Sequence, residues 1–330
     1  MAILRCGKCG HLVEVSNDAV GTAMPCPKCE NKVPVYDTVI FVGKVLEKYF
    51  AQQNELIQLR NNSRETNASA TASKVHVPIA DVDIHNTSEM SSDFQHGPIH
   101  EWFQRSKIEV RPNLKAVDTT GFFDEVALSL GNRYDLLKEV SEKIRFAQQK
   151  GYTSINIHLS KKSQKDAQAI TTFCQQLYAY SFFARYNYQR EEKVIRLTLQ
   201  TAPAIQEFFG GEWMEWYAFM TMLAFLRDRK REFSCARNLS VIFPNEDLHE
   251  LDVFFLVDGN KPVCVECKTG EFRQSIDKYL VLRKRLGIQK SHFILCVAGL
   301  VPEHAVGLSS MYDITFVSES QLVSHLAKLF

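Results

Sequence analysis

Three charged side chains lie within the two apolar runs 252–257 and 262–268, and they are the residues of this chain best suited to chemistry. Asp252 stands near the start of one run of strand-forming residues, and Glu266 and Lys268 stand at the end of a second run. Glu266 and Lys268 are two residues apart, so a strand directs both toward the same face of its sheet. Because a charge buried in a sheet is costly unless it is paired or binds a metal ion, this pattern predicts a functional site.

The two runs are predicted to pair as a hairpin. Asp258-Gly259-Asn260 lies between them, and glycine and asparagine tolerate the positive φ of tight turns. The hairpin brings Asp252 back toward Glu266 and Lys268, so two carboxylates and an ammonium converge. Two carboxylates with water ligands suit Mg²⁺, and a lysine can orient the attacking water. The set predicts metal-assisted hydrolysis of a phosphodiester. The alternative is an ordinary hairpin whose charges face solvent.

The order of these residues resembles the PD-(D/E)xK pattern of restriction-endonuclease-like nucleases. Asp252 is followed, after the hairpin, by Glu266-Cys267-Lys268, and the upstream string GEWMEW supplies an acidic residue, Glu215. Together with the later string LRKRLG, these motifs are similar to the nuclease domain of CRISPR ancillary nucleases activated by cyclic oligoadenylate. The resemblance covers residues 210–330. It departs from the superfamily pattern at Leu251, where the name of the pattern has a proline.

The resemblance implies an α/β restriction-endonuclease-like domain with a mixed central sheet flanked by helices. It implies an endonuclease dependent on Mg²⁺ or Mn²⁺, with DNA as the favoured substrate and a role in defence against foreign DNA. The catalytic residues that it implies are Glu215, Asp252, Glu266 and Lys268. Its metal ligands are Asp252, Glu266 and the backbone carbonyl of Cys267, and Glu212 is the alternative helical acid. No Gly-rich strand–helix motif precedes residue 210, so the cyclic nucleotide is not carried over as a ligand.

A helix is predicted over 273–286, after the second strand of the hairpin. Gln274, Lys278 and Arg285 are expected to face nucleic acid, whereas Tyr279 and Leu282 are expected to pack inward. The rival hypothesis is a non-catalytic adaptor, which binds nucleic acid with this domain and recruits a protein through the N-terminal segment. The presence of all three charged groups of the hairpin argues against the adaptor.

The N-terminal segment 1–36 is predicted to be a zinc ribbon. Two Cys-x-x-Cys pairs, separated by sixteen residues, place two thiolates each at a tight turn, and together they complete a tetrahedral site. The ligands are Cys6, Cys9, Cys26 and Cys29. Four protein ligands leave no open coordination position, so the zinc is expected to be structural and to supply folding energy. Either nucleic acid or a protein is the expected partner of the ribbon.

Three further segments complete the organisation. Residues 37–60 are predicted as a helix whose heptad-like seam suits either a homodimer or packing on another domain. Residues 61–98 are rich in Asn, Ser, Thr and Ala and are predicted to be a disordered linker. Residues 99–209 are predicted to form a small α+β domain in the order α-α-β-α-β-β, serving as a scaffold or as a wing that contacts phosphates.

Composition bounds the class of protein. The 330 residues carry a formal net charge of +1, so nucleic-acid binding requires local basic patches rather than a global field. The 45% hydrophobic content is enough for real cores. No stretch suits a membrane span or a secretory signal. The nine cysteines show no disulfide-dense spacing, which favours a reducing cytoplasm.

Overall fold

The computed structural model describes residues 2–6, 8–9, 11–37, 93–113, 116 and 121–330. The chain divides into two compact units, Met1–His76 and Val77–Phe330. The predicted dimerisation helix, apart from residue 37, and the first 32 residues of the predicted linker, 61–92, lie outside the described residues. The described part is mixed α/β with several sheets. None of its helices is both long enough and apolar enough to cross a lipid bilayer.

The first unit contains a four-stranded antiparallel sheet in the order β2-β1-β4-β3. Its strands are β1 (Ala2–Arg5), β2 (Leu12–Val15), β3 (Ala23–Pro25) and β4 (Lys32–Asp37). β1 and β3 both pair antiparallel with β4, so they run in the same direction. The chain therefore leaves both strands at the same end of the sheet, and the two Cys-x-x-Cys turns begin there. The small core consists of Ala2, Leu4, Cys6, Cys26, Val33 and Val35.

The second unit is built on a six-stranded sheet in the order β13-β12-β11-β10-β9-β5. Its strands are β5 (Glu109–Arg111), β9 (Phe233–Ile242), β10 (Leu248–Val257), β11 (Lys261–Lys268), β12 (Phe293–Val297) and β13 (Thr315–Val317). β5, β9, β10 and β11 pair antiparallel in this sheet, and β11, β12 and β13 pair parallel. The predicted hairpin and the predicted parallel pairing at the C-terminal end are therefore confirmed.

Helices cover both faces of this sheet. The helices of the second unit are α1 (Asp93–Gln104), α2 (Phe122–Gly131), α3 (Tyr134–Gln149), α4 (Gln164–Ala179), α5 (Pro203–Glu207), α6 (Trp213–Asp228), α7 (Ile276–Leu286), α8 (Pro302–Met311) and α9 (Leu322–Leu329). One core cluster joins α2, α3, α4 and α6 to one face of the sheet. A second cluster joins α1, α7 and α8 to the other face. Every strand between β9 and β12 is consequently apolar on both faces, as strands covered on both sides must be.

Residues 121–199 confirm the predicted order of elements, α-α-β-α-β-β. After α2 and α3 come β6 (Ser154–His158), α4, β7 (Phe183–Gln189) and β8 (Val194–Leu199), and the strands form a separate antiparallel sheet in the order β6-β8-β7. This small sheet and its helices share the core cluster of α6 rather than closing a core of their own. The packing favours the scaffold interpretation of the segment.

The predicted boundaries at 98/99 and 209/210 do not match the packing. α1 begins at Asp93, so the last six residues of the predicted linker are helical, and β5 extends the sheet of the predicted C-terminal domain. Gly97 and Pro98 made this segment look like a loop, but tertiary packing overrides their low helix propensity. Phe103 in α1 is fully buried, and its ring centroid lies 5.0 Å from that of Phe254 in β10.

Gly131 gives the first testable prediction, because α2 and α6 approach closely there. A Cβ at this position would lie 2.2 Å from Cδ2 of Tyr217, which is buried and whose hydroxyl donates to the Glu319 carbonyl oxygen at 3.1 Å. The tyrosine ring therefore cannot easily move away from Gly131, because its hydroxyl is fixed by this hydrogen bond and its ring is buried. We expect Gly131→Ala to lower the free energy of unfolding by about 1–3 kcal/mol, measured by urea denaturation.

The matched control is Gly307→Ala. Gly307 also lies in a helix, and a Cβ there would meet no atom within 4 Å among the described residues. Alanine is a better helix former than glycine, so this variant is expected to be neutral or slightly stabilised. Equal stability of the two variants would show that the α2–α6 contact tolerates a methyl group.

Candidate active site

The register of β10 and β11 brings the predicted carboxylates together. Val253 lies opposite Val265, and the next step along the same register places Asp252 opposite Glu266. The Oδ2 atom of Asp252 also accepts a hydrogen bond of 2.7 Å from the backbone nitrogen of Cys267. Asp252 is therefore fixed to the end of β11, next to the other predicted site residues.

Glu266 is the most deeply buried acid of the site, with 2% of its surface exposed. Burial raises its pKa well above the usual range, and the negative charge of Asp252 adds to the increase. The Cys264 thiol lies 3.7 Å from Oε1. Tyr279 adjoins the carboxylate from α7, and burial together with the charge of Glu266 raises the pKa of the Tyr279 hydroxyl. The carboxylate is thus held in a dry pocket between β11 and α7.

Two lysines supply positive charge at this pocket. The Nζ of Lys268 lies 5.6 Å from the centre of the Tyr279 ring, and the Nζ of Lys278 lies 5.8 Å from it. The charges of both lysines oppose the rise in the pKa of Glu266 and of Asp252. The structure therefore brings Lys278, predicted as a nucleic-acid contact, next to the carboxylates themselves.

Glu215 joins the site from the first turn of α6. Its Oε2 atom is 3.1 Å from Nη1 of Arg237, and the side chains of both residues are largely buried. Burial, followed by the charge of Asp252, raises the pKa of Glu215 to about 8, against the opposing effect of Arg237. The fallback acid Glu212 is less buried, and burial also raises its pKa. Glu215 is thus the helical acid whose pKa the charge of Asp252 raises.

A close backbone approach holds the start of α6 beside the end of β11. The π-helical turn Phe208–Glu212 leads into α6, and a Cβ at Gly211 would lie 3.2 Å from Oγ1 of Thr269. Thr269 directly follows Lys268. The GEW motif thus gives the turn a residue without a side chain at the point where it meets the active-site strand.

Sequence reasoning missed Arg237. Its guanidinium lies 3.7 Å from the Trp216 ring centre, and its Nε donates to the carbonyl oxygen of Ala116 at 3.1 Å. The sequence predicts the first strand of this domain only over Asn238–Phe243, so an arginine in front of it looks like part of a loop. The sequence signal for a buried functional arginine was Arg237 itself, between Ala236 and Asn238 in a run with strand-forming residues at both ends.

The other two predicted nucleic-acid contacts are Arg285 and Gln274. Arg285 is engaged with Asp247 at 2.8 Å and Asn245 at 2.7 Å, and its guanidinium lies 3.6 Å from the Phe243 ring centre. These contacts do not test the predicted phosphate contact of Arg285, which stays a prediction. Gln274 is exposed in the 3₁₀ turn that precedes α7, where nothing in the described structure tests its predicted contact.

The donor set at Asp252 and Glu266 fits a hard divalent cation. Burial raises the pKa of both carboxylates, and the charge of Asp252 adds to the rise at Glu266; a cation held by both would offset these effects. The N–H of Cys267 points toward β10, and in a strand the carbonyl of the same residue points to the same side. The Cys267 carbonyl is therefore directed toward β10, the strand that carries Asp252. Asp252, Glu266 and Glu215 do not approach one another closely enough to be three ligands of one ion.

The four predicted zinc ligands do come together. In the described part of the chain, they are the one group of three or more His, Cys, Asp or Glu ligands close enough to share an ion, with all sulfur atoms within 4.8 Å of one another. The Cys6 and Cys29 sulfurs are 3.5 Å apart, and those of Cys9 and Cys26 are 3.6 Å apart. A tetrahedron of Zn–S bonds of ~2.3 Å has edges of about 3.8 Å, so the arrangement fits zinc.

The chain matches no protein-family model and no curated protein. Solved structures that resemble part of the chain include the following two. One is the protein VC1899 from Vibrio cholerae, with 18% identity over 70% of this chain and 60% of that chain and a TM-score of 0.47. The other is Can2 from Sulfobacillus thermosulfidooxidans in complex with cyclic tetra-adenylate, with 14% identity over 70% of this chain and 59% of that chain and a TM-score of 0.48. This chain thus spans less than two thirds of either, and likeness at this level assigns no activity.

Proposed function

We propose that this protein is a metal-dependent nuclease of the restriction-endonuclease-like type, which hydrolyses phosphodiester bonds of nucleic acid. The observation that carries the proposal is the pair of adjacent acids Asp252 and Glu266, with Lys268 at the same strand end. Burial raises the pKa of both carboxylates, and the charge of Asp252 raises that of Glu266 further, so a divalent cation would make the ionised pair favourable. An adaptor domain has no need for buried like charges of this kind.

Each residue of the site has a distinct part. Asp252, Glu266 and the Cys267 carbonyl would hold Mg²⁺ or Mn²⁺, which supplies Lewis acidity and an activated water when bound. Lys268 places an ammonium beside both carboxylates, where it can orient the attacking water and offset the charge of a phosphate oxygen. Glu215, held in an ion pair by Arg237, adds a third acid whose pKa responds to the charge of Asp252. Removal of water by the packing of Tyr279 strengthens these interactions.

We also propose that the first unit is a structural zinc ribbon. Its two Cys-x-x-Cys turns follow β1 and β3, which run in the same direction, and four thiolate ligands leave no position for a substrate. The ribbon is a separate compact unit, so it suits the recruitment of nucleic acid or of a protein partner to the nuclease.

Metal binding is the first test of the proposed function. Mn²⁺ is expected to raise the melting temperature of the wild-type protein and to leave that of Asp252→Asn unchanged, because the variant lacks one of two charged ligands. Glu303→Gln, which removes an exposed carboxylate on α8, is the matched control and should respond as the wild type does. Differential scanning fluorimetry over a Mn²⁺ titration measures this. Equal responses in all three proteins would contradict a cation at Asp252.

Cleavage is the second test. The wild-type protein is incubated with plasmid DNA, single-stranded DNA and RNA, each with Mg²⁺ and with Mn²⁺. Product that depends on the cation and on Asp252 supports the nuclease. Retention of nucleic acid in a binding assay, without cleavage under any of these conditions, would favour the adaptor instead.

A further inference from the structure

The alternation of side chains in β9 inverts at Asn238. Phe233 and Cys235 pack in the core on the α6 side of the sheet. In a regular strand Leu239, four residues after Cys235, would lie on the same face. Leu239 packs instead in the core on the opposite side, together with α1 and α7. Asn238 has a φ of +51° in the middle of this strand, so the backbone itself makes the inversion.

The neighbouring strand β10 inverts at the residue opposite. Val253 and Phe255 pack on the α6 side, whereas Leu251, two residues before Val253, packs on the other side. The register between the strands continues through this point, since Leu251 pairs with Leu239 and Val253 pairs with Arg237. Asn238 and Asp252 are thus opposite each other, at the one step where both strands change faces.

The inversion explains the direction of the Asp252 carboxylate. In a strand that alternated regularly, this side chain would stand upright on one face of the sheet. Here it lies at the change of face, where its Oδ2 accepts the Cys267 N–H of the next strand at 2.7 Å. We propose that Asn238 is a positioning residue, whose left-handed backbone conformation aims Asp252 along the sheet toward the end of β11.

Residue type supports this assignment. A left-handed conformation is costly for most residues, and asparagine is one of the few besides glycine that adopts it readily. Such an outlier persists when the surrounding structure imposes it, and outliers of this kind concentrate at functional sites. The Nδ2 atom of Asn238 also donates to Glu250 at 3.1 Å in an exposed contact, and the Asn238 side chain hydrogen-bonds Glu215, where it opposes the rise in the pKa. The proposed role depends on the backbone of Asn238 and not on its amide, and its meaning for catalysis rests on the proposed function.

Two variants separate the backbone from the amide. Asn238→Gly and Asn238→Ala both remove the amide, but only glycine keeps a positive φ without strain. The readout is the hydrogen-exchange rate of the Cys267 amide in protein labelled with ¹⁵N-cysteine. We expect Asn238→Gly to exchange at the wild-type rate and Asn238→Ala at least about tenfold faster, which corresponds to about 1.4 kcal/mol. The Cys174 amide, in α4, is the internal reference for global unfolding.

Each other outcome overturns the proposal. Equal acceleration in both variants would assign the positioning role to the amide of Asn238. Exchange at the wild-type rate in Asn238→Ala would show that neither the backbone conformation nor the amide positions Asp252. Acceleration of Cys174 together with Cys267 would mean general destabilisation. If Asn238→Ala does not fold, Asn238→Gly decides alone, because faster exchange of its Cys267 amide contradicts the backbone role. The readout needs neither metal nor nucleic acid, so it stays informative if the protein proves not to be a nuclease.

Discussion

Glu266→Gln is expected to lower the rate of nucleic-acid cleavage by about 10²–10³-fold, the usual effect of removing one preorganised charged group from an active site. Glutamine has the shape of glutamate but not its charge, so the cation would lose one of its two anionic ligands. The rate of plasmid cleavage with saturating Mg²⁺ measures the effect. Lys268→Met is expected to lose activity similarly, because it removes the ammonium beside both carboxylates.

The same Glu266→Gln variant is expected to be more stable than the wild type in the absence of metal. The folded state raises the pKa of Glu266, so at pH values above the ~4.3 of unfolded glutamate the charged side chain destabilises the fold. The amide removes that cost, and chemical denaturation with EDTA present at pH 7 measures the gain. Loss of activity together with gained stability is the signature of a functional residue and excludes misfolding as the cause.

Lys284→Met and Glu303→Gln are the matched controls for these two substitutions. Both remove an exposed charge from a helix of the same unit, and both are expected to keep wild-type activity. Full activity in Glu266→Gln, or equal losses in variants and controls, would reject the assigned catalytic residues.

Removal of zinc is expected to unfold the first unit. Among the residues between 2 and 37 that the structure describes, the core of this unit contains six buried residues, two of which are proposed zinc ligands, so the packing of this segment alone is too small to hold it. Structural zinc contributes about 10–16 kcal/mol of binding free energy in comparable small modules, which is more than such a unit can replace. Elemental analysis of the full chain should find one zinc per chain. After a zinc chelator is added, trypsin should cleave at Lys8, Lys28 and Lys32.

Cys26→Ser is expected to lose the zinc and to gain the same trypsin sensitivity without chelator. Cys174→Ser is the control, because Cys174 is buried in the second unit and should leave the zinc content unchanged. Protection from trypsin that persists after complete loss of zinc would show that the unit folds without metal.

Local patterns predicted part of the site from the sequence. The spacing of Glu266 and Lys268, and the turn after Val257, depend on neighbours within one hairpin, and a period of two residues determines their direction. The structure has this hairpin. The CxxC turns are equally local, and the sheet of the first unit brings them to one end.

The remainder depends on contacts that a single sequence does not reveal. Arg237 reaches Glu215 because β9 begins five residues earlier than predicted. α1 forms across Gly97 and Pro98 because its apolar face packs on the sheet. The inversion at Asn238 is invisible to a periodicity argument, since it breaks the very period on which the argument relies.

Anomalous diffraction at the manganese edge, from crystals of the protein grown with Mn²⁺, addresses the proposed cation site at atomic resolution. The account predicts a peak between the Asp252 and Glu266 carboxylates, within about 2.0–2.3 Å of an oxygen of each, and no such peak in Glu266→Gln. Crystals that show well-ordered carboxylates at millimolar Mn²⁺ with no anomalous density between them would contradict it.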